Sequence, residues 1–230
     1  MKPSLTPIAA AIVLAIPLAA AAQPEIDLAP YTPVTDARLA NPEPGNWLQY
    51  RGNYAGWGYS PLEQITSKNV GKLRLAWSMS TGQTEGHQAP PVVNNGYMYV
   101  TTPGAQVIAL DAATGIELWR YKKELPSDLM QLHPTNRGVA LYGDKVYVAT
   151  VDAALVALDA KTGKVAWTVQ VGDPKALQYI TLAPLAAKGR IMVGSSGGET
   201  GVRGFVAAYD AATGKEAWRT FTTAAPGEPG

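Results

Sequence analysis

The chain has 230 residues, 47% of them hydrophobic and only 16% charged, a composition able to bury a core and unlike that of a disordered chain. Its 19 basic and 18 acidic residues leave a formal net charge of +1 without a long run of either sign, so no nucleic-acid footprint is present and no nucleic-acid partner is expected. There is no cysteine, which excludes disulfides, thiolate metal sites and the Cys-x-x-Cys-His attachment of haem from these residues.

In chain order, Lys2, an apolar stretch over 8–18 and the alanines at 19–22 read as a secretory signal over residues 1–22, cleaved after Ala22 and directing export to the periplasm. The stretch is shorter than the roughly 20 apolar residues a spanning helix needs, and Pro17 interrupts it. Nothing later is long and apolar enough to span, so no transmembrane segment is expected in the mature chain. Residues 23–45 are rich in proline and alanine without a sustained period and read as an extended leader. From 46 to 230 the pattern is all-β: short runs at 97–101, 145–150, 155–158 and 190–194 are separated by glycine, asparagine and aspartate turns.

A repeat organises this region. Asp111-Ala-Ala-Thr-Gly-Ile-Glu-Leu-Trp119 returns as Asp159-Ala-Lys-Thr-Gly-Lys-Val-Ala-Trp167 and as Asp210-Ala-Ala-Thr-Gly-Lys-Glu-Ala-Trp218, with Leu75-Ala-Trp77 as a more degenerate fourth copy. The spacing is that of propeller blades. In each copy an apolar strand meets an aspartate and a threonine able to bond the turn, and then a glycine that tolerates positive φ. The tryptophan that follows is expected to pack between neighbouring blades and to find an acceptor for its N–H. Four copies are at the lower limit of the four to eight blades of a closed propeller, so an incomplete propeller is expected.

Three constellations stand outside the repeat. Glu85 lies in a loop before the strand at Val92; by itself a loop glutamate is an ordinary solvated charge. Arg137 lies in His133-Pro-Thr-Asn-Arg-Gly138, where a planar, always-charged fork beside glycine suits a carboxylate or a phosphate, or equally a salt bridge within the scaffold. Thr181-Leu-Ala-Pro184 precedes Gly194-Ser-Ser-Gly-Gly-Glu199, in which small residues uncover backbone N–H groups and Glu199 offers oxygens to a hard cation. A glycine-rich hairpin loop has the same composition, and one carboxylate is too few ligands for a metal.

Taken together and in order, Trp47-Leu-Gln-Tyr-Arg-Gly-Asn-Tyr54, Tyr59-Ser-Pro-Leu-Glu-Gln-Ile65, Leu75-Ala-Trp77, the Glu85 loop, Asn136-Arg-Gly-Val-Ala140, Thr181-Leu-Ala-Pro184 and Gly194-Ser-Ser-Gly-Gly-Glu199 resemble the methanol/ethanol type of quinoprotein alcohol dehydrogenase. The resemblance implies about the first four blades of an eight-bladed β-propeller carrying pyrroloquinoline quinone (PQQ) and calcium or a lanthanide. By position, Glu85, Arg137, Thr181, Ser196, Gly197 and Gly198 are then cofactor-binding and Glu199 is the metal ligand. It further implies oxidation of an alcohol by hydride transfer to the quinone, with electrons passed to cytochrome c or another haem acceptor. The family's catalytic aspartate falls beyond residue 230, so the chain by itself is expected to be inactive. The family's two adjacent cysteines are replaced by Gln131 and Leu132, with Leu132 a candidate apolar substitute against the ring. The rival reading is a non-catalytic periplasmic propeller that helps outer-membrane proteins assemble, which shares the blade repeat but has no need of Arg137, Thr181 and Glu199.

Overall fold

The computed structural model describes residue 26 and residues 28–84 and 86–228. The signal segment at 1–22 lies outside them.

Three four-stranded antiparallel sheets follow one another along the chain, each a meander in sequence order. Blade 1 is β1 (Val92–Asn94), β2 (Tyr97–Thr102), β3 (Gln106–Asp111) and β4 (Glu117–Lys122). Blade 2 is β5 (Ala140–Tyr142), β6 (Lys145–Ala149), β7 (Ala154–Asp159) and β8 (Val165–Gln170), and blade 3 is β9 (Leu185–Ala187), β10 (Arg190–Gly194), β11 (Phe205–Asp210) and β12 (Glu216–Phe221). This is the partial propeller expected from the repeats. Burial reflects the stacking: β7, in the middle blade, is buried along five of its six residues, while β12, on the last, is exposed at nearly all.

The turn chemistry is the same in every blade. Asp159 Oδ1 accepts the N–H of Thr162 at 2.9 Å and its hydroxyl at 2.8 Å, and Asp111 and Asp210 do likewise for the backbone of their own turns. The tryptophans then key each blade to the next. Trp77, Trp119 and Trp167 donate their indole N–H to the carbonyls of Ala112, Ala160 and Ala211 at 3.1, 3.0 and 3.2 Å, in each case the residue after the next blade's aspartate. The glycine of that next turn is therefore needed twice over. Gly163 holds φ of +69°, and a Cβ there would stand 2.5 Å from the Trp119 ring; one at Gly214 would stand 2.8 Å from Trp167, and one at Gly115 would collide with Trp77. A tyrosine on the second strand shares the acceptor: Tyr99 reaches Ala160 O and Tyr147 reaches Ala211 O, both at 2.9 Å.

The repeat around Trp77 is the exception. It docks as the others do, yet its segment belongs to no sheet, and residues 53–90 hold only a short 3-10 turn among the described residues. With no neighbouring strand to pair with, its backbone groups are left to solvent, and Leu75 stands 83% exposed.

The proline-rich leader is not merely extended. Thr35 caps a five-residue helix, α1 (Asp36–Ala40), accepting from Arg38 N, and the leader bonds to all three blades, to blade 1 through Arg38 Nη2 and Asn94 Oδ1 at 2.9 Å. Val34 bridges Gly143 in blade 2, Trp47 bridges Val93 in blade 1, and the Asp36 carboxylate receives the Lys188 N–H of blade 3 at 2.6 Å and the Tyr142 hydroxyl of blade 2 at 2.8 Å. Helix propensity could not have announced so short an element; its packing and cap hold it.

Candidate functional site

The loops entering and leaving the strands of blades 2 and 3 enclose an open, polar cleft of about 580 Å³. It is lined by Arg137, Thr181, Ser196, Gly197, Gly198 and Glu199, joined by His133 and Tyr179. Six of the seven residues singled out in the sequence thus meet in one place. Glu85 lies outside the described residues, but the carbonyl of its neighbour Gly86 accepts from the Thr135 hydroxyl at 3.3 Å, two positions from Arg137.

Each wall has its own support. Asn136 is 3% exposed; its side-chain N–H reaches Ala149 O at 2.8 Å and its carbonyl accepts Gly138 N at 2.9 Å, pinning the loop that carries Arg137. Arg137 donates its backbone N–H to Thr181 O at 3.0 Å and its Nη1 to Thr181 Oγ1 at 2.5 Å. Among the described residues no carboxylate forms an ion pair with this guanidinium.

On the opposite wall, the segment after β10 turns back through a 3-10 turn at Gly198–Thr200. Ser196 N bonds Tyr179 O at 2.8 Å, and Gly197, at φ +120°, sits where a Cβ would stand 2.7 Å from the Leu177 carbonyl. Nothing lies within 4 Å of a Cβ built on Gly198, so the space beside it is open. Glu199 accepts the Tyr179 hydroxyl at 3.3 Å. Burial, and then the Glu199 charge and its hydrogen bond, hold the Tyr179 phenol above its ordinary pKa, so it remains a proton donor near neutrality. The arrangement offers cationic and hydroxyl donors on one side and a carboxylate on the other, a chemistry suited to a planar polyanion bridged to a hard cation. Among the described residues no cluster of three or more His, Cys, Asp or Glu side chains is placed to hold a metal.

One expectation shifts in detail. Leu132 is 42% exposed and does not line the cleft; His133 does, with its ring centroid 6.4 Å from that of Tyr179. Arg203, close in sequence to the glycine loop, pairs instead with Glu228 at 2.6 Å and lies over Phe221. Tyr179 belongs to no motif. Its one sequence signal is a spacing of two from Thr181, which in an extended segment places both on the same side.

The class is that of a β-propeller, here partial, with a polar cleft at its strand ends. The family follows from comparison: residues 47–229 match the PQQ-type glucose/ethanol/alcohol dehydrogenase β-propeller domain, and the chain belongs to that family. It is 45% identical over 188 residues to the quinohemoprotein alcohol dehydrogenase ADH IIB of Pseudomonas putida, covering 80% of this chain and 27% of that protein. It is 42% identical over 187 residues to the lanthanide-dependent methanol dehydrogenase of Methylacidiphilum fumariolicum, covering 78% and 30%. The solved structure of quinohemoprotein alcohol dehydrogenase ADHIIG from Pseudomonas putida HK5 superposes with a TM-score of 0.80 at 44% identity, covering 86% of this chain and 30% of that one. The chain thus spans less than a third of the length of these relatives.

Proposed function

We propose that the chain is the N-terminal part of a PQQ-dependent alcohol dehydrogenase and supplies one half of its cofactor cradle. The observation that carries this is Arg137: a guanidinium without a carboxylate partner among the described residues, fixed by Thr181 in a cleft whose far wall is Glu199. The residues fit the group. Arg137 binds a cofactor carboxylate through its planar fork, Thr181 and Ser196 add hydroxyl donors, and the Gly197-Gly198 backbone lets a flat ring lie close. Glu85 is a further polar neighbour of the ring system in this reading, and Glu199 holds the divalent or trivalent cation, calcium or a lanthanide. When bound, PQQ supplies the ortho-quinone that accepts hydride, and the cation acts on it as a Lewis acid.

The substrate in this reading is a small alcohol, oxidised to an aldehyde or ketone, and the electrons leave to a haem acceptor such as cytochrome c. The chain acts in the periplasm after removal of the signal at 1–22. No helix among the described residues is long and apolar enough to cross a membrane. The names of the relatives do not favour the scaffold alternative. Among its lining residues the cleft holds no aspartate to take the alcohol's proton, so the 230 residues alone are expected to turn over no alcohol.

The test is a titration of PQQ with calcium or a lanthanide, followed by quenching of tryptophan emission. Saturable binding that is lost in Arg137→Ala supports the reading; no binding, or equal binding by Arg137→Ala, sinks it.

A further inference from the structure

The two charged walls of the cleft are keyed to one extended segment, Tyr179-Ile-Thr181. Ile180 is fully buried in the core, which turns Tyr179 and Thr181, 6% and 5% exposed, to the same side of the chain. Thr181 takes Arg137 through both its backbone carbonyl and its hydroxyl. Tyr179 takes the glycine loop in a parallel way, its carbonyl accepting Ser196 N and its hydroxyl donating to Glu199 Oε2. The loop packs closely there, for a Cβ on Gly197 would stand 2.7 Å from the Leu177 carbonyl oxygen.

We propose that Tyr179 is the positioning residue of Glu199, doing for the carboxylate wall what Thr181 does for Arg137, so that one rigid segment sets the separation between anion fork and cation ligand. This rests on the cofactor reading above for its purpose, but the contact itself does not. A carboxylate on a short turn has free rotation about its side-chain bonds; one phenolic donor selects the rotamer and leaves Oε1 for a cation. Partners that orient metal-binding carboxylates in this way carry effects of about 10–100-fold in metal affinity.

The test removes the hydroxyl and keeps the ring. In the PQQ-loaded full chain, terbium affinity read by its emission is expected to fall about tenfold in Tyr179→Phe, at the lower end of such effects. Metal-free PQQ affinity, which Arg137 carries, is expected to change less than about twofold, since that wall is keyed to Thr181 instead. Unchanged terbium affinity, or a parallel loss of both affinities as a merely structural role would give, overturns the proposal. Should the wild type bind no PQQ, the cofactor reading fails by itself, and the positioning claim is decided without ligand. The side-chain carboxyl 13C resonance of Glu199, assigned through Glu199→Gln, is expected to move in Tyr179→Phe. The same contact is read from the other end by the 13Cζ resonance of Tyr179 in Glu199→Gln, which decides the matter if Tyr179→Phe does not fold. Resonances that stay in place overturn the claim.

Discussion

At the scale of single residues, the tryptophans and the glycines they cover behave as pairs. Trp119 is 9% exposed and hydrogen-bonded to Ala160, whereas Trp218, on the last blade, is 44% exposed. Truncating Trp119 to alanine is expected to cost about 3–5 kcal/mol, the range for a buried large aromatic, while Trp218→Ala costs well under half of that. Urea denaturation of the two variants measures the difference directly. Gly163→Ala is expected to lose stability through two separate insults, a strained backbone at φ +69° and a methyl inside the Trp119 ring envelope, with a combined loss of about 2 kcal/mol or more. Reducing the ring in Trp119→Leu should relieve only the second, so the double variant with Gly163→Ala is expected to be less destabilised than the sum of the singles.

Arg137 calls for a different substitution. A lysine keeps the charge but not the planar fork, so it cannot offer a ligand carboxylate two parallel N–H donors. PQQ affinity in Arg137→Lys is expected to fall about tenfold or more, with thermal stability nearly unchanged, as a bidentate site behaves and a point charge does not. Equal affinity of arginine and lysine variants would show that the fork is not used.

At the scale of elements, the leader is a strap across three blades, and Asp36 is its buckle. Burial opposes ionisation of this carboxyl, but the N–H of Lys188 and the hydroxyls of Tyr142 and Tyr54 outweigh it and hold the group below the ordinary aspartate range. A carboxyl with a lowered folded pKa contributes stability that is complete above its unfolded value, near 3.9, and is lost as pH falls through the folded one. Asp36→Asn is therefore expected to destabilise at pH 7 and to converge with wild type once the pH falls below the lowered folded pKa of Asp36, where both side chains are neutral. Chemical denaturation across pH 2–8 checks this; a gap that persists at low pH would locate the cost in packing instead. Glu43 titrates in the same window, its carboxyl held down to about 2 chiefly by Arg38, so the comparison is between variants at each pH and not of wild type alone.

The sites on these elements were unequally legible. The aspartate, threonine and glycine of each turn announce their hydrogen bonds because the partners lie within a few residues, as Asp159 and Thr162 show. Residue type singled out Arg137 and Glu199, and only the resemblance put them in one site, since nothing local brings positions 137 and 199 together. Tyr179 was silent because its role depends on the face it presents, and α1 because four or five residues carry no period.

At the scale of the whole molecule, the three blades leave apolar surface uncovered at both ends of the stack. Trp57, Tyr59 and Leu75 are 82%, 74% and 83% exposed at one end, and Trp218 and Phe221 stand out at the other. Surface of this kind on an unaccompanied domain favours association. The isolated 230-residue chain is expected to bind 8-anilinonaphthalene-1-sulfonate and to elute from a sizing column larger than its 24.3 kDa. A monomer that leaves the dye dark would show these ends to be self-covered.

The order of residues alone settled the architecture, because a blade turn is a local device: an aspartate, a threonine and a glycine within five positions close it whatever lies beyond. The repeat also dictated how blades meet, since each tryptophan needs a glycine one blade on. Which residues face one another across the cleft was left to tertiary structure. Blade 2 stacks on blade 3 through buried apolar faces, and that stacking, indifferent to the chemistry at the strand ends, carries the Arg137 loop over the Glu199 turn with Tyr179-Ile-Thr181 between them. Only after the core has formed is there a fixed distance between the two charges, and therefore a site.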